Sequence, residues 1–357
     1  ENVRLDVLGC FTSMVQASYC SSGGSVAAVS VPPPTGGLVR QRSTSGDFIV
    51  PTALQAAPGK SSSLPELENA KIVHSIFSAC SVQLTGTSVK SKSAVFVLLR
   101  ALVAALHGGL DRYLPKLMGL VEKCLADKQQ ALRLDALAFL RTALELHSPS
   151  VLQPNLLPVL NAVVQVVSED GYKVVAEALR VLTAMVPVLR PVDASSGFFV
   201  DNFSAFKPCA HKIYQAVMTK MEALDIDHEI KECAILAMGV LFSHAGDELS
   251  SELPGVLGLF KRRLENETTR SSTLKALAAI AQSSLRLDLS EFMLQTAGDL
   301  ALFLRQSSRS LKQLTLTTLA AIVSSSSTQL VSAEAQALLG EVFKFSFNIC
   351  LLCYSCD

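Results

Sequence analysis

One basic residue returns along this chain at a nearly constant interval, and that interval constrains the fold more than any other feature. Each occurrence reads as an apolar residue (Thr in one case), Lys or Arg, two residues, a small or β-branched residue, then apolar positions at helical spacing. The occurrences are Val3-Arg4, Val89-Lys90, Leu132-Arg133, Tyr172-Lys173, Ile230-Lys231, Thr269-Arg270 and Leu311-Lys312. The small position is filled by Val7, Ser93, Ala136, Ala176, Ala234, Thr273 and Thr315, as close helix packing requires. One turn further on come Phe11, Val97, Leu140, Arg180, Met238, Leu277 and Leu319. Arg180 alone breaks that apolar set, and its flanks Leu179 and Val181 can share the burial.

From Lys90 to Arg133 is 43 residues, from Arg133 to Lys173 40, from Lys231 to Arg270 39, and from Arg270 to Lys312 42. HEAT and armadillo repeats run at about 40–47 residues. Lys173 to Lys231 is 58, with the excess in an insertion around Arg190–Phe203, and Arg4 to Lys90 is 86, twice 43, with a low-complexity segment filling most of one repeat. Before each basic helix lies another apolar-periodic segment: Tyr113–Leu125, Leu156–Val167, Ala210–Met221, Pro254–Leu264 and Phe292–Leu304. Each repeat is therefore a pair of helices. The turns carry Asp127, Ser168-Glu169-Asp170-Gly171 and Asp225-Ile226-Asp227, where an Asp carboxylate can cap the second helix and favours the positive end of its dipole. Pro115, Pro158, Pro208 and Pro254 fall near the starts of first helices, where a missing N–H costs nothing.

The expected fold is all-α, a HEAT-repeat α-solenoid in which antiparallel helix pairs stack and nearest neighbours bury a continuous core. Its expected organisation is the end of a HEAT repeat at 1–17, a low-complexity flexible insert at 18–65, HEAT repeats at 66–190, an inter-repeat insertion at 191–203, HEAT repeats at 204–342, and an irregular C-terminal tail at 343–357. The insert is rich in Ser, Gly and Pro, which cannot bury enough apolar surface to order themselves. Within it RQRSTS (40–45) offers a phosphorylation target, although a solvated loop without a role is the plainer reading.

Composition agrees. Of the 357 residues 49% are hydrophobic and 17% charged, ample for a core, and aromatics are only 6%, fewer than all-β domains usually take. Formal net charge is zero, and no local basic patch asks for nucleic acid. No uninterrupted apolar run reaches the length of a bilayer, and the closest, Ala94–Leu106, is short and broken by Arg100, so no membrane span is expected. Nine cysteines, an odd number and scattered, sit mostly inside apolar helical patterns, and no signal peptide precedes them. These features point to a reducing, intracellular compartment. The chain opens on Glu1 in what reads as mid-helix, so a piece of a longer protein is expected.

Catalytic constellations are missing from the sequence, and no cofactor, metal or small-molecule substrate is expected. No Gly-rich phosphate loop follows a strand. The histidines at 74, 107, 147, 211, 228 and 244 are isolated, and His107 and His147 fall at helix C-termini, where a cationic or polar side chain suits the dipole. Cys350, Cys353 and Cys356 resemble part of an iron–sulfur run, yet a fourth cysteine is missing, and they lack the partner ligands of a zinc site. The candidate partner-binding residues are Lys231 and Glu232 at a second-helix start and the run Lys261-Arg262-Arg263, whose plainer reading is a solvated helix end. The repeated basic residue is expected to bridge to an acidic neighbour near the repeat-to-repeat turn, adding about 0–1 kcal/mol at a surface.

Several strings resemble one family: GYKVVAEAL (171–179), DIDHEIKECAI (225–235), GDELSSELP (246–254), RLENETTRSSTLKALAAIA (263–281), LDLS (287–290) and FLRQSSRSLKQLTL (303–316), with LHSPSVLQP (146–154) and the opening Glu1-Asn2-Val3-Arg4 fitting the same part. Their order is similar to the middle of the cullin-associated, neddylation-dissociated proteins. The resemblance runs from about 85 to 335 and ends after about Phe343. It implies a long HEAT superhelix wrapping an unmodified cullin–RING scaffold, in the cytoplasm and nucleus. It implies that cullin and its RING subunit are partners, that adaptor and substrate receptor are competitors, and that attachment of the ubiquitin-like modifier blocks binding. It also implies that the decisive grips lie at the two ends of the full solenoid, outside this chain. Length and period equally allow a generic HEAT scaffold or transport adaptor. An enzyme would need paired titratable groups in a pocket-forming interruption, and the sequence offers none.

Overall fold

A computed structural model describes residues 66–325, apart from 107, 108, 201, 202, 306 and 307. The expectations for the repeat end at 1–17, the insert at 18–65 with its RQRSTS stretch, the repeat residues 326–342, the tail at 343–357 with its cysteine triplet, and His107 lie outside the described residues.

The chain divides into two compact units, Glu1–Leu110 and Asp111–Asp357. In the first, α1 (Glu66–Thr85) packs on α2 (Val89–Leu106). Phe77, Cys80 and Leu84 of α1 and Val95, Phe96, Leu98, Leu99, Leu102 and Val103 of α2 are buried. The Ser88 hydroxyl accepts from the Ser91 N–H (3.2 Å), satisfying a first-turn donor that has no helical partner.

The second unit contains five helix pairs among the described residues: α3 (Leu114–Leu125) with α4 (Gln130–Leu146), α5 (Leu156–Val167) with α6 (Tyr172–Leu189), α7 (Lys207–Glu222) with α8 (His228–Ala245), α9 (Leu253–Glu265) with α10 (Glu267–Ala281), and α11 (Ser290–Arg305) with α12 (Arg309–Ser325). It is an all-α stack of the HEAT type. The second helices α4, α6, α8, α10 and α12 form one row, each against the next, and this is the tighter row. The first helices form the other layer, least closely joined between α7 and α9.

The small position of the sequence pattern explains the tight row. Ala136, Ala176, Ala234, Thr273 and Thr315 are fully buried, as are Leu140, Met238 and Leu277 one turn on. The two threonines hide their hydroxyls by donating to the carbonyl four residues back, Thr273 to Thr269 (2.9 Å) and Thr315 to Leu311 (2.8 Å). Pro115, Pro208 and Pro254 are the second residues of α3, α7 and α9, and Pro158 the third of α5.

Capping departs from the expectation at two of the three turns. Asp227 caps α8, accepting from the Glu229 N–H (2.8 Å). Asp127 instead closes its own turn by accepting from the Gln129 N–H (2.9 Å), and Gly171, which has no side chain to offer, stands at the cap of α6. Asn266 provides a cap the sequence reading passed over, accepting from the Thr268 N–H (3.0 Å) and hydroxyl (2.8 Å) at the start of α10. Pro149–Val167 is long and apolar enough to cross a bilayer by length and composition, contrary to the expectation from uninterrupted runs. It is broken by a 3-10 turn at Gln153–Asn155, and Leu156, Val159, Leu160, Val163, Val166 and Val167 are buried in the stack.

Candidate protein-interaction surface

Polar groups of the second-helix row organise into a ladder. Arg141 of α4 donates through Nε to Glu177 of α6 (2.8 Å) and lies 3.5 Å from Glu145 one turn on. Glu177 gives its other oxygen to Arg180 (3.2 Å), and Arg180 reaches Glu229 of α8 (2.5 Å). The chain Glu145–Arg141–Glu177–Arg180–Glu229 thus crosses three repeats. Arg180, the one residue that broke the apolar pattern, is the central rung, while Leu179 and Val181 beside it are fully buried. The flanks fill the core, and the guanidinium pairs with Glu177 and Glu229 at the seam. Glu177 is only 12% exposed at its side chain, so its two arginines compensate a largely desolvated charge.

The repeated basic residue has several uses, and bridging to an acid is one of them. Arg133 pairs with Glu169 in the next repeat's turn (2.6 Å), as the pattern led one to expect. Lys231 instead donates to the Leu224 carbonyl (2.9 Å), and Arg270 to the Leu264 (3.0 Å) and Glu265 (3.3 Å) carbonyls. The Leu264 and Glu265 carbonyls end the first helix of the same repeat, where helical acceptors run out and the dipole favours a cation, and the Leu224 carbonyl lies in the turn just past its helix.

Of the five candidate residues, Arg263 donates to the Met221 carbonyl in the last turn of α7, and Lys231 to the Leu224 carbonyl in the turn that follows. Burial, reinforced by neighbouring Arg262, lowers the pKa of Arg263. Glu232 accepts from Ser272 of α10 (3.1 Å) and lies 3.6 Å from His228. Arg262 is exposed and Lys261 half-buried near the end of α9. Three of the five are therefore engaged within the stack.

The insertion builds the one β feature among the described residues. α6 carries Pro187 in its last turn and ends at Leu189. The chain then forms a small hairpin, with an antiparallel bridge between Val192 and Phe199. Its ladder bonds run from the Asp193 N–H to the Phe198 carbonyl (2.8 Å) and from the Val200 N–H to the Pro191 carbonyl (2.9 Å). At the tip Asp193 accepts from the Ser195 (2.6 Å) and Ser196 (2.8 Å) hydroxyls and the Ser195 N–H (3.1 Å), which holds its pKa down at about 2. Gly197 takes φ +72°, a conformation that a residue with a Cβ rarely adopts. Arg190 fastens the base: its Nη1 donates to the His244 carbonyl (2.8 Å) and to Asp247 (2.6 Å), and its guanidinium lies over the rings of Phe199 (4.5 Å) and Phe203 (4.8 Å). Phe199 also meets the His244 ring edge-on, and burial pushes the His244 pKa down to about 4.

Chemically these groups stabilise and present; they do not converge on a reacting atom. Among the described residues no group of three His, Cys, Asp or Glu could hold a metal. Cys80, Cys124, Cys209 and Cys233 are buried and form no disulfide, and burial pushes Cys80 and Cys233 up to about 11, which keeps both as inert thiols. His147, expected as a cationic or polar side chain at a helix end, is buried with its Nδ1 3.2 Å from the Ala143 carbonyl, and burial lowers its pKa and favours the neutral ring.

A stack of this geometry defines a helical-repeat scaffold of the armadillo and HEAT class. Among solved structures it is similar to yeast importin-beta (Kap95p), with a TM-score of 0.61 and 14% identity over 72% of this chain and 31% of that one. It is also similar to a designed armadillo repeat protein in complex with the peptide (KR)4, with a TM-score of 0.52 and 14% identity over 68% of this chain and 98% of that one. At such identities the likeness is one of fold. A family profile described as "CAND1-like, TPR repeats" matches residues 108–238. Cullin-associated NEDD8-dissociated protein 1 of Arabidopsis thaliana is 38% identical over 277 residues, 77% of this chain and 22% of that protein. The Drosophila melanogaster protein of the same name is 36% identical over 230 residues, 63% of this chain and 18% of that protein. The chain belongs to the family of cullin-associated, NEDD8-dissociated proteins, and spans about a fifth of the length of these relatives.

Proposed function

We propose that this chain is part of a cullin-binding HEAT scaffold that regulates assembly and substrate-receptor exchange of cullin–RING (SCF-type) ubiquitin ligases by binding cullin without its ubiquitin-like modifier. The observation that carries the reading is the 38% identity to a protein named for cullin association, over 277 residues of this chain. The partners are cullin and its RING subunit, and adaptor with substrate receptor competes. The mechanism is steric: a repeat array offers an extended surface, and several separated patches add through effective concentration. Exchange follows if the scaffold and the adaptor weaken each other's binding, a coupling that is reciprocal by linkage. No bond is made or broken by the scaffold itself, and it works in the cytoplasm and nucleus.

The test is binding of the full-length gene product to a purified cullin–RING complex with and without the modifier attached. Tight binding that the modifier abolishes supports the reading. Equal binding to both forms removes the exchange mechanism. Binding to neither leaves a general HEAT scaffold or transport adaptor.

A further inference from the structure

Of the fourteen prolines in the chain, one alone follows a serine or threonine: Pro149, after Ser148. The pair lies between α4, which ends at Leu146, and the short helix Pro149–Leu152 that leads toward α5. Ser148 and Ser150 are exposed, Pro149 is half-buried, and His147 and Leu152 on either side are buried. The serine is thus presented to solvent on a short stretch of chain anchored at both ends. Leu146, two residues ahead of it, is exposed as well (41%). The backbone at Ser148 is extended, with φ −61° and ψ 136°, as a residue before proline prefers, and no peptide bond among the described residues is cis. A hydroxyl on an extended Ser–Pro step with a trans prolyl bond is the form in which proline-directed protein kinases take their acceptor.

The hydroxyl is also uncommitted to the fold. Ser88, Ser148 and Ser308 each stand just ahead of a helix. The Ser88 and Ser308 hydroxyls accept first-turn N–H groups, from Ser91 (3.2 Å) and Leu311 (3.3 Å), and so help to hold their helices. Ser148 occupies the same position and makes no capping bond; its hydroxyl meets the Ser150 hydroxyl (2.8 Å), where either can donate. Such a hydroxyl can be esterified without loss of a cap. The helix beyond it has four residues, fastened to Ser148 through the Val151 N–H on the Ser148 carbonyl (3.1 Å). Opening so short a segment to seat it in an enzyme costs far less than unfolding a repeat.

We propose that Ser148 is a phosphorylation site, with ATP as donor and a proline-directed protein kinase as the enzyme. The Ser148 Oγ attacks the γ-phosphorus of ATP, the bond from that phosphorus to the β,γ-bridging oxygen breaks, ADP leaves, and the hydroxyl proton passes to the kinase's catalytic carboxylate. The phosphoserine brings a charge of about −1.5 to −2 at pH 7 and three strong acceptor oxygens to a surface where Glu145, three residues back, is already exposed. No capping bond is lost, so the phosphate changes what the surface presents to partners and leaves the stack as it is. The site does not depend on which partner the scaffold binds.

The test treats the folded full-length protein with ATP and, in separate reactions, a cyclin-dependent and a mitogen-activated protein kinase, and maps phosphate by mass spectrometry. A free Ser–Pro peptide in the same tube reports that each kinase is active. Wild type should gain a phosphate on Ser148 with at least one of the two, with unchanged melting. Ser148→Ala should lose that phosphate completely, Ser150→Ala should keep it, and Pro149→Ala, which retains the hydroxyl, should react about tenfold more slowly or worse. Melting curves of each variant separate lost recognition from a lost fold. Ser148 is not the site if both active kinases leave it unmodified in the folded protein, if it reacts only after denaturation, or if a folded Pro149→Ala reacts as fast as wild type.

Discussion

The row of second helices is held together differently at its two ends. From α4 through α6 to α8 the seams carry ion pairs, with Arg141, Glu177, Arg180 and Glu229 in one chain. From α8 through α10 to α12 the seams are close-packed and crossed by hydroxyls, one of them Ser272 donating to Glu232 of α8 (3.1 Å). Gly239 of α8 lies so near α10 that a Cβ there would stand 2.6 Å from the Cα and Cβ of Ala276. Gly246 is crowded likewise, its added Cβ falling 2.3 Å from Leu287 Cδ1. Hydroxyls cross the seams to backbone carbonyls, Ser283 to Ser243 and Thr318 to Leu274 (3.1 Å). One period therefore supports two kinds of adhesion. Long charged side chains bridge the first seams, whereas in the second a glycine lets α8 and α10 touch and hydroxyls make the polar crossings. The first kind should respond to salt and the second should not.

Gly239→Val tests the contact seam most severely. The new side chain must push α10 away, which should cost about 3 kcal/mol or more, at low salt and at about 0.5 M alike. Chemical denaturation at both salt concentrations measures it, and a loss under about 1 kcal/mol would mean that the seam yields easily.

Acid probes the end of α8, where the two regions meet. His244 titrates near 6.5 when unfolded and at about 4 when folded, because burial and then Arg190 oppose its charge. Above pH 6.5 neither state binds the proton and stability is unaffected. As pH falls from 6.5 toward 4 only the unfolded chain takes it up, so stability should drop by on the order of 3 kcal/mol. His244→Gln should flatten that part of the pH–stability curve, and an unchanged curve would contradict the assignment.

Arg180→Met removes the central rung and leaves Glu177 with Arg141 alone. We expect a loss of about 2 kcal/mol at low salt, falling by roughly half at about 0.5 M. A double-mutant cycle with Glu177→Gln should give a coupling of about 1 kcal/mol, and additivity would show that the ladder is decorative. Thr318→Val is the smallest change. It keeps the shape, removes one hydroxyl donor to Leu274, and should cost about 1 kcal/mol independent of salt. Salt dependence here, or its lack at Arg180, would erase the distinction between the two regions.

Much of the fold was legible because its determinants are local and repeat. Helix pairing follows from apolar periodicity, and the close row from the small residue after each basic one. The candidate surface was less legible. Arg180 was visible only as a defect in the apolar pattern, and that defect was the signal. Gly239 sits unmarked in a helix, where its cost of about 1 kcal/mol relative to Ala makes sense only once Ala276 is seen against it. Lys231 was expected to bridge to an acid and Arg263 to sit at a solvated helix end, yet both end on backbone carbonyls at or just past the end of α7. Arg190 marked an insertion, but nothing nearby in sequence showed that residues more than 50 positions later, His244 and Asp247, would fasten it.

The sequence by itself determined the all-α class, the period of the helix pairs and the relationship to the family, because period and local composition are properties of neighbouring residues. The tertiary structure decided which charges are spent on holding the stack, which seam is ionic and which is close-packed, and that Phe198 faces outward while Phe199 faces in. Those outcomes depend on partners some 36 to 57 residues away, as for Arg141 with Glu177 and Arg190 with Asp247, and on distances of an ångström or two that no local pattern encodes.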